Sequence, residues 1–292
     1  MTKFARTFGQ DLMRGEHSVG GVMRDKATEK KSGDFAGLRA EGIGPGGKAA
    51  TGCYATGGAT LEDGGQTGTS IFDPVLTELC YRWFCPKGGV IIDPFAGGSV
   101  RGIVASVLGY QYHGFELRPE QVAANVAQAE QITPDNPPVW YTGDSAVTVP
   151  AWAGQADFLF SYPPYGDLEV YSDMPDDLSA MPHEAFEKAY AGIIAAACAK
   201  LKPDAFACFV VGDFRDKKGF YRNFTGATVA AFEAAGAGYY NEAILVTAVG
   251  SLPIRVGKQF KAGRKLGKTH QNILVFCKGD PKRATQAIEA VA

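Results

Sequence analysis

The stretch Val90-Ile91-Ile92-Asp93-Pro94-Phe95-Ala96-Gly97-Gly98-Ser99 decides the fold. Three consecutive β-branched residues read as a short buried strand, and the acid, proline and glycine pair after them end it in a tight turn. Ser99 to Leu108 then reads as a helix. Strand, glycine turn and helix in that order form the opening unit of an α/β sheet. There, small residues and free N–H groups at a helix start let a ligand approach the backbone closely.

The same alternation continues outward. Gln111 to Phe115 reads as a second strand, ending at Glu116, and Pro119 opens a helix that runs to about Gln131. Val139–Thr142 and Phe158–Phe160 are two more short strands, and a long helix fits Glu184–Leu201, stopping before Pro203. Phe206–Val211 is strand-like, and Thr225–Ala235 is a helix closed by Gly236. Ala243–Val249 and Ile273–Cys277 finish the pattern as two strands. No helix is expected between them, so they are expected to pair as an antiparallel terminal hairpin. The whole predicts an α/β fold, with a mostly parallel sheet covered by helices on both faces.

Composition bounds the rest. Of 292 residues, 46% are hydrophobic, enough for a real core and too many for a wholly disordered chain. No run approaches the roughly 18 apolar residues that span a bilayer, so no membrane partner is expected. The first residues, MTKFARTFGQDLMRGEHS, lack the continuous apolar segment of a secretory signal. A net charge of −2 excludes a globally polybasic nucleic-acid binder but allows a local basic face. The six cysteines are scattered without a Cys-x-x-Cys pair, and the four histidines are dispersed. The expectation is free thiols in a reducing compartment and no metal site. Residues 1–68 hold 16 of the 37 glycines and no sustained apolar period, the profile of an N-terminal extension that cannot fold alone. The sequence divides into that extension, a domain over 69–281 and a tail over 282–292.

In such a sheet, ligands bind beyond the carboxyl ends of the strands. Gly97 and Gly98 offer the close backbone approach. Glu116, 23 residues after Asp93, suits a ribose diol, because a carboxylate accepts two hydroxyl hydrogen bonds. Gly143-Asp144-Ser145 ends the third strand, and Asp144 suits an adenine amino group. A nicotinamide dinucleotide is the alternative, but the Gly-x-Gly-x-x-Gly spacing is missing. The fourth strand ends in Ser161-Tyr162-Pro163-Pro164-Tyr165. Two prolines fix the backbone and remove two donors, and Tyr165 supplies a flat π surface. An isolated Pro-Pro-Tyr is also a rigid turn or a docking motif. Its place at a strand end beside the glycine turn favours a site.

Together these strings resemble the amino-directed DNA methyltransferases, which modify adenine N6 or cytosine N4. Asp93-Pro94-Phe95-Ala96-Gly97-Gly98-Ser99 looks like their first motif and Tyr162-Pro163-Pro164-Tyr165 like their fourth. Thr69-Ser70-Ile71-Phe72-Asp73-Pro74 resembles the motif that closes over the methionine part of the cofactor. The likeness covers about residues 69–280. Its closest flavour is the stand-alone enzymes of phages and prophages, which share GDLEVYSD and the late string Arg264-Lys265-Leu266-Gly267-Lys268-Thr269-His270-Gln271-Asn272.

The resemblance implies a Rossmann-like class I methyltransferase fold with a seven-stranded sheet and S-adenosylmethionine as cofactor. It places that cofactor against Ser70, Phe72, Asp73, Asp93, Pro94, Phe95, Ala96, Gly97, Gly98, Glu116, Asp144 and Ser145. Ser161, Tyr162, Pro163, Pro164 and Tyr165 would then form the catalytic loop. It further implies DNA as partner, a bacterial or phage-infected host cytoplasm as location, and a setting such as restriction-modification. A flipped base would stack on Tyr165 while the Pro163 carbonyl and the preceding side chain accept from its amino group. No metal is needed. Tyr162 departs from the Asp, Asn or Ser usual before the proline pair. Three readings stay open: Ser161 substitutes, the Pro163 carbonyl suffices, or catalysis is impaired and the chain is a binding module on a methyltransferase scaffold. Gly98-Ser99, where Ser-Gly is commoner, is a milder departure. Methylation of RNA or of a small molecule is a lesser alternative. Cytosine-C5 chemistry, which needs a Cys nucleophile usually after proline, is disfavoured, since the chain has Cys85-Pro86 and no Pro-Cys.

Arg255, Lys258, Lys261, Arg264, Lys265 and Lys268 crowd into fourteen residues without an acid, with Gln259 and Phe260 interleaved. A solvated face is the plain reading. On a nearly neutral chain the local density favours phosphate contact, and this basic loop over 251–270 is the expected DNA-binding segment. The acidic stretch 166–182 is expected to be a lid or base-reading loop.

Overall fold

The computed structural model describes residues 72–166, 172–247 and 252–288, all within the unit Ile71–Ala292. The N-terminal extension and Ser70 lie outside the described residues, as do residues 167–171 of the acidic stretch. The elements run α1 (Pro74–Phe84), β1 (Val90–Asp93), α2 (Val100–Val107), β2 (Gln111–Glu116), α3 (Pro119–Ile132) and β3 (Val139–Thr142). They continue through α4 (Ser145–Ala151), β4 (Ala156–Ser161), α5 (His183–Lys200), β5 (Leu201–Val211) and α6 (Phe224–Ala234). The last four are β6 (Gly238–Val246), α7 (Leu252–Gly263), β7 (His270–Lys278) and α8 (Pro281–Gln286).

The seven strands lie in the order β3-β2-β1-β4-β5-β7-β6, with β1 to β5 parallel and β7 antiparallel to both β5 and β6. From β1 the sheet grows one way through β2 and β3 and the other way through β4 and β5. Right-handed crossovers therefore put α2 and α3 on one face and α4, α5 and α6 on the other. The packing agrees, since α1 rests on α2, while α5 rests on both α4 and α6. The reversal between β1 and β4 is the topological switch point, where an open sheet leaves a crevice at the carboxyl ends. This strand order, with β7 inserted antiparallel, is the Rossmann-like class I methyltransferase fold.

Two features differ from the sequence reading. The terminal strands pair antiparallel, but they do not form a hairpin. The stretch read as a basic loop is helical over Leu252–Gly263, and β7 lies inside the sheet with β6 outside it. Three basic residues, a proline and two glycines in Leu252–Gly263 lower its helix propensity and outweigh its apolar period, which hid the helix. Helices α1 and α4 were also not foreseen. Each starts where an aspartate caps it: Asp73 accepts from the Val75 and Leu76 N–H groups at 2.8 and 3.3 Å, and Asp144 accepts from Ala146 N–H at 2.8 Å.

The centre of the sheet is aromatic. Phe158, Phe160 and Phe209 are fully buried, as are Tyr81 and Phe232. The described cysteines, Cys80, Cys85, Cys198, Cys208 and Cys277, are buried and unpaired. Past β7, Arg283 on α8 grips Asp204 with two hydrogen bonds of 2.6 and 3.0 Å, and Ala284 is buried. Among the described residues, no helix is long and apolar enough to cross a membrane.

Candidate active site

The crevice is built around one carboxylate. Asp93, at the end of β1, is fully buried and receives four donors. Its Oδ2 accepts from Arg101 Nε at 2.6 Å and from the Tyr112 hydroxyl at 2.7 Å; its Oδ1 accepts from the Ser161 hydroxyl at 2.5 Å and from Phe95 N–H at 3.2 Å. Arg101 also donates through Nη2 to the Phe95 and Ala96 carbonyls at 2.6 and 2.8 Å. Burying an ion pair is costly unless its lone pairs and protons are satisfied, as they are here. What such a network provides is one fixed turn. Burial works against the Arg101 charge, but Asp93 outweighs it and holds the guanidinium pKa above its ordinary value. Burial, reinforced by Asp93, pushes the Tyr112 hydroxyl well up. Asp93 thus shapes the turn from within and exposes no surface to a ligand.

The turn itself opens outward. Gly97 has φ +53°, a left-handed value that favours glycine, and a Cβ built there or on Gly98 would meet nothing within 4 Å. The Gly97 N–H donates to Glu116 Oε2 at 3.0 Å, and its carbonyl accepts from Asn125 Nδ2 at 2.7 Å. Glu116 ends β2, with Oε1 accepting from Arg118 N–H at 3.1 Å. Burial raises its carboxyl pKa above the ordinary value, against the backbone donors and the Arg118 charge. At the end of β3, Asp144 is half-buried with one oxygen on its cap, and the Ser145 hydroxyl donates to the Pro94 carbonyl at 2.6 Å. Ala96 is buried, and the Phe95 ring packs inward against Tyr190 and Phe209. Asp73 spends its carboxylate on capping α1, while Phe72 reaches the crevice, 4.9 Å beneath the Arg101 guanidinium and 5.3 Å from the Tyr162 ring.

The catalytic candidates adjoin this turn. Ser161 accepts from Phe95 N–H at 3.2 Å while donating to Asp93, so its hydroxyl is committed to joining the ends of β1 and β4. Its side chain is fully buried. Pro163 is buried and Pro164 half-buried. Tyr165 is 7% exposed, and its ring meets Tyr162, Phe214 and Phe224 edge-on at 5.7, 6.1 and 5.9 Å. Sequence reasoning did not assign a role to Gln271 of β7. Its amide Nε2 donates to the Tyr162 hydroxyl at 2.8 Å and also to the Tyr165 hydroxyl, joining both tyrosines of the loop to β7, two strands along the same sheet. The late string containing Gln271 was the available signal. Nothing in the sequence pointed to Arg101 or Asn125.

The basic residues divide. Lys258 and Lys261 are exposed on α7, and Arg264 after it lies 5.0 Å over the Phe260 ring. Arg255 falls on α7 too, in a part where only the backbone is described. Lys268 is different. A Cβ placed on Gly212 would lie 3.5 Å from Lys268 Nζ and 3.4 Å from the Tyr165 hydroxyl, so this lysine reaches the rim of the crevice. Burial lowers its pKa, with Asp213 opposing. In the acidic stretch, Asp177 turns inward and caps a short turn, accepting from Ser179 N–H at 2.8 Å.

No family model and no curated protein matches the chain. Among solved structures, TrmN of Thermus thermophilus is similar over 71% of this chain and 49% of its own, at 15% identity and a TM-score of 0.47. This chain thus spans about half the length of TrmN. A magnesium protoporphyrin IX methyltransferase of Synechocystis, solved with SAM bound, is similar over 70% of this chain and 76% of its own, at 12% identity and a TM-score of 0.44. A methyltransferase of Pyrococcus furiosus is similar over 74% and 91%, at 14% identity and a TM-score of 0.45. The fold assignment rests on the strand order.

Proposed function

We propose that this chain is an S-adenosylmethionine-dependent methyltransferase acting on an exocyclic amino group, adenine N6 or cytosine N4, of a base flipped out of DNA. One observation carries the reading. The Pro163-Pro164-Tyr165 strand end is joined to the Gly97-Gly98 turn through Ser161, which bonds both Asp93 and Phe95. The open space over the two glycines and the acids ending β2 and β3 fit the cofactor. Glu116 would hold a ribose diol, and the second Asp144 oxygen an adenine amino group. When bound, the cofactor supplies an electrophilic methyl group. The residues of this chain position the amino group: Tyr165 provides the stacking face and the Pro163 carbonyl an acceptor. Tyr165 must part from its edge-on neighbours to do so. Orientation and fixed dipoles supply the acceleration, and no protein nucleophile is required. Lys258, Lys261, Arg264, Lys265 and Lys268 would contact phosphate.

The experiment incubates the protein with labelled cofactor and duplex DNA, then identifies the modified nucleoside by mass spectrometry. Labelled N6-methyladenine or N4-methylcytosine supports the reading, and cofactor binding without any labelled nucleoside refutes it. A second reading, a DNA-binding module that has lost catalysis, is favoured by Tyr162, whose hydroxyl is engaged by Gln271. Gain of transfer in Tyr162→Asp would select it.

A further inference from the structure

Between β5 and α6 the chain makes a small hairpin that nothing in the motif reading singled out. Arg222 N–H donates to the Phe214 carbonyl at 2.9 Å, Arg215 bridges antiparallel to Tyr221, and Asp216 N–H donates to the Phe220 carbonyl at 2.8 Å. The tip is held by its own side chains. Asp216 Oδ1 accepts from Phe220 N–H at 2.9 Å, Arg215 Nη1 donates to the Gly219 carbonyl at 2.8 Å, and the Arg215 guanidinium lies 3.9 Å over the Tyr221 ring. On this stiffened tip Phe220 is 71% exposed and Tyr221 47%. Around them stand Arg215, Lys217, Lys218 and Arg222, against Asp213 and Asp216.

The position is as telling as the composition. At the root, Phe214 meets the Tyr165 ring edge-on at 6.1 Å. On the flank, a Cβ built on Gly219 would lie 2.8 Å from Lys265 Cε and Nζ, so the hairpin rests against the basic segment after α7. Three residues of chain lift the tip up to about 10 Å above its root, on the order of the roughly 8.5 Å depth of a major groove. An exposed phenyl ring, with Lys217 and Lys218 exposed just before it in the chain, is poorly placed for water and well placed for a stack of bases between phosphates.

We infer that the Phe214–Arg222 hairpin is the duplex-engaging wedge of this protein. Phe220 would stack into the space a flipped base leaves, while Lys217, Lys218 and Lys265 contact the flanking phosphates. The inference rests on the DNA methyltransferase reading above. Binding a wedge at the gap favours the extruded state of the base, because the stack lost on flipping is partly restored.

Two variants test it, and the exposure of Phe220 means neither disturbs the core. In Phe220→Trp, titration with sonicated duplex DNA should quench the new indole and shield it from acrylamide, beyond any change in the parent. In Phe220→Ala, the ratio of methyl transfer to duplex over heat-denatured DNA should fall about tenfold or more, the size of one lost base stack. An unquenched indole, or quenching matched by heparin, overturns the wedge and leaves only a basic surface. Equal quenching by duplex RNA overturns the assignment to DNA. An unchanged transfer ratio with an active parent also overturns it. A parent that transfers to no DNA refutes the methyltransferase reading instead, and the indole titration still decides the wedge.

Discussion

Ser161→Ala separates a residue that shapes the site from one that reacts in it. The hydroxyl donates to Asp93 Oδ1 at 2.5 Å and accepts from Phe95 N–H at 3.2 Å, and the alanine makes neither bond. Phe95 N–H keeps its bond to Asp93, and Arg101 and Tyr112 stay on the other oxygen. The loss is thus one hydrogen bond to a buried charge, about 1.5–3 kcal/mol. For a domain of this size, about 2 kcal/mol corresponds to roughly 4–8 °C in Tm. Because the turn proposed to face the cofactor is loosened, cofactor affinity should fall as well, while residual methyl transfer persists at saturating cofactor. Differential scanning calorimetry, cofactor titration and labelled-methyl transfer read the three quantities on one preparation. A Tm within about 1 °C of the parent, below the shift expected from one such bond, would refute the structural role. So would transfer abolished at saturating cofactor with Tm unchanged, which would make the hydroxyl a direct participant.

Gln271→Leu should leave cofactor affinity near that of the parent but lower transfer about tenfold, by removing the amide that bonds both tyrosine hydroxyls, a loss of alignment that costs on the order of 1.4 kcal/mol; unaltered kcat would show the clasp to be idle. For Glu116, two pH trends should oppose each other. Its folded pKa is raised by burial, so its stabilising contribution is complete in acid, below the unfolded pKa, and is lost as pH rises through the folded value. Holding a ribose needs the carboxylate, so cofactor affinity should rise over that same window. Calorimetry and thermal melts against pH, each as the difference between parent and Glu116→Gln, check this, and trends running together would sink it. Lys258→Ala and Lys261→Ala should each shallow the plot of log affinity for DNA against log salt by about one. Fluorescence anisotropy measures the slope, and an unaltered slope in both removes α7 from the interface.

Much of the sheet was legible because its strands are made by local chemistry. Val90-Ile91-Ile92 and Val139–Thr142 are rich in β-branched and aromatic residues bounded by turn formers, and they fall where expected. Pro119 and Gly236 mark a helix start and a helix end for equally local reasons. Helix α7 was not legible, because its charges and glycines override the apolar period. The start of β6 was missed too: Gly238 to Glu242 gain their strand geometry from pairing with β7, whose residues lie more than thirty positions away in sequence.

The site divides along the same line. Gly97, Gly98 and the proline pair announce themselves because backbone geometry alone demands those residue types. The groups that hold them in place do not, because their partners are set by topology. Ser161 meets Asp93 only because β4 lies beside β1, and Gln271 meets Tyr165 only because β7 inserts next to β5. In sequence these are 68 and 106 positions apart. An arginine eight residues after Asp93 looks like any helix arginine until the helix turns it back under the Phe95 and Ala96 carbonyls. Tyr162 shows the consequence. In sequence it looks like a defect in a motif that expects a short acceptor. In the fold its ring lies 5.3 Å from that of Phe72, and its hydroxyl shares the Gln271 amide with Tyr165. Under the proposed function, Tyr162 would serve as a tie beside Tyr165 rather than as a short acceptor aimed at substrate. That assigns the polarising contact in the proposed reaction to the Pro163 carbonyl.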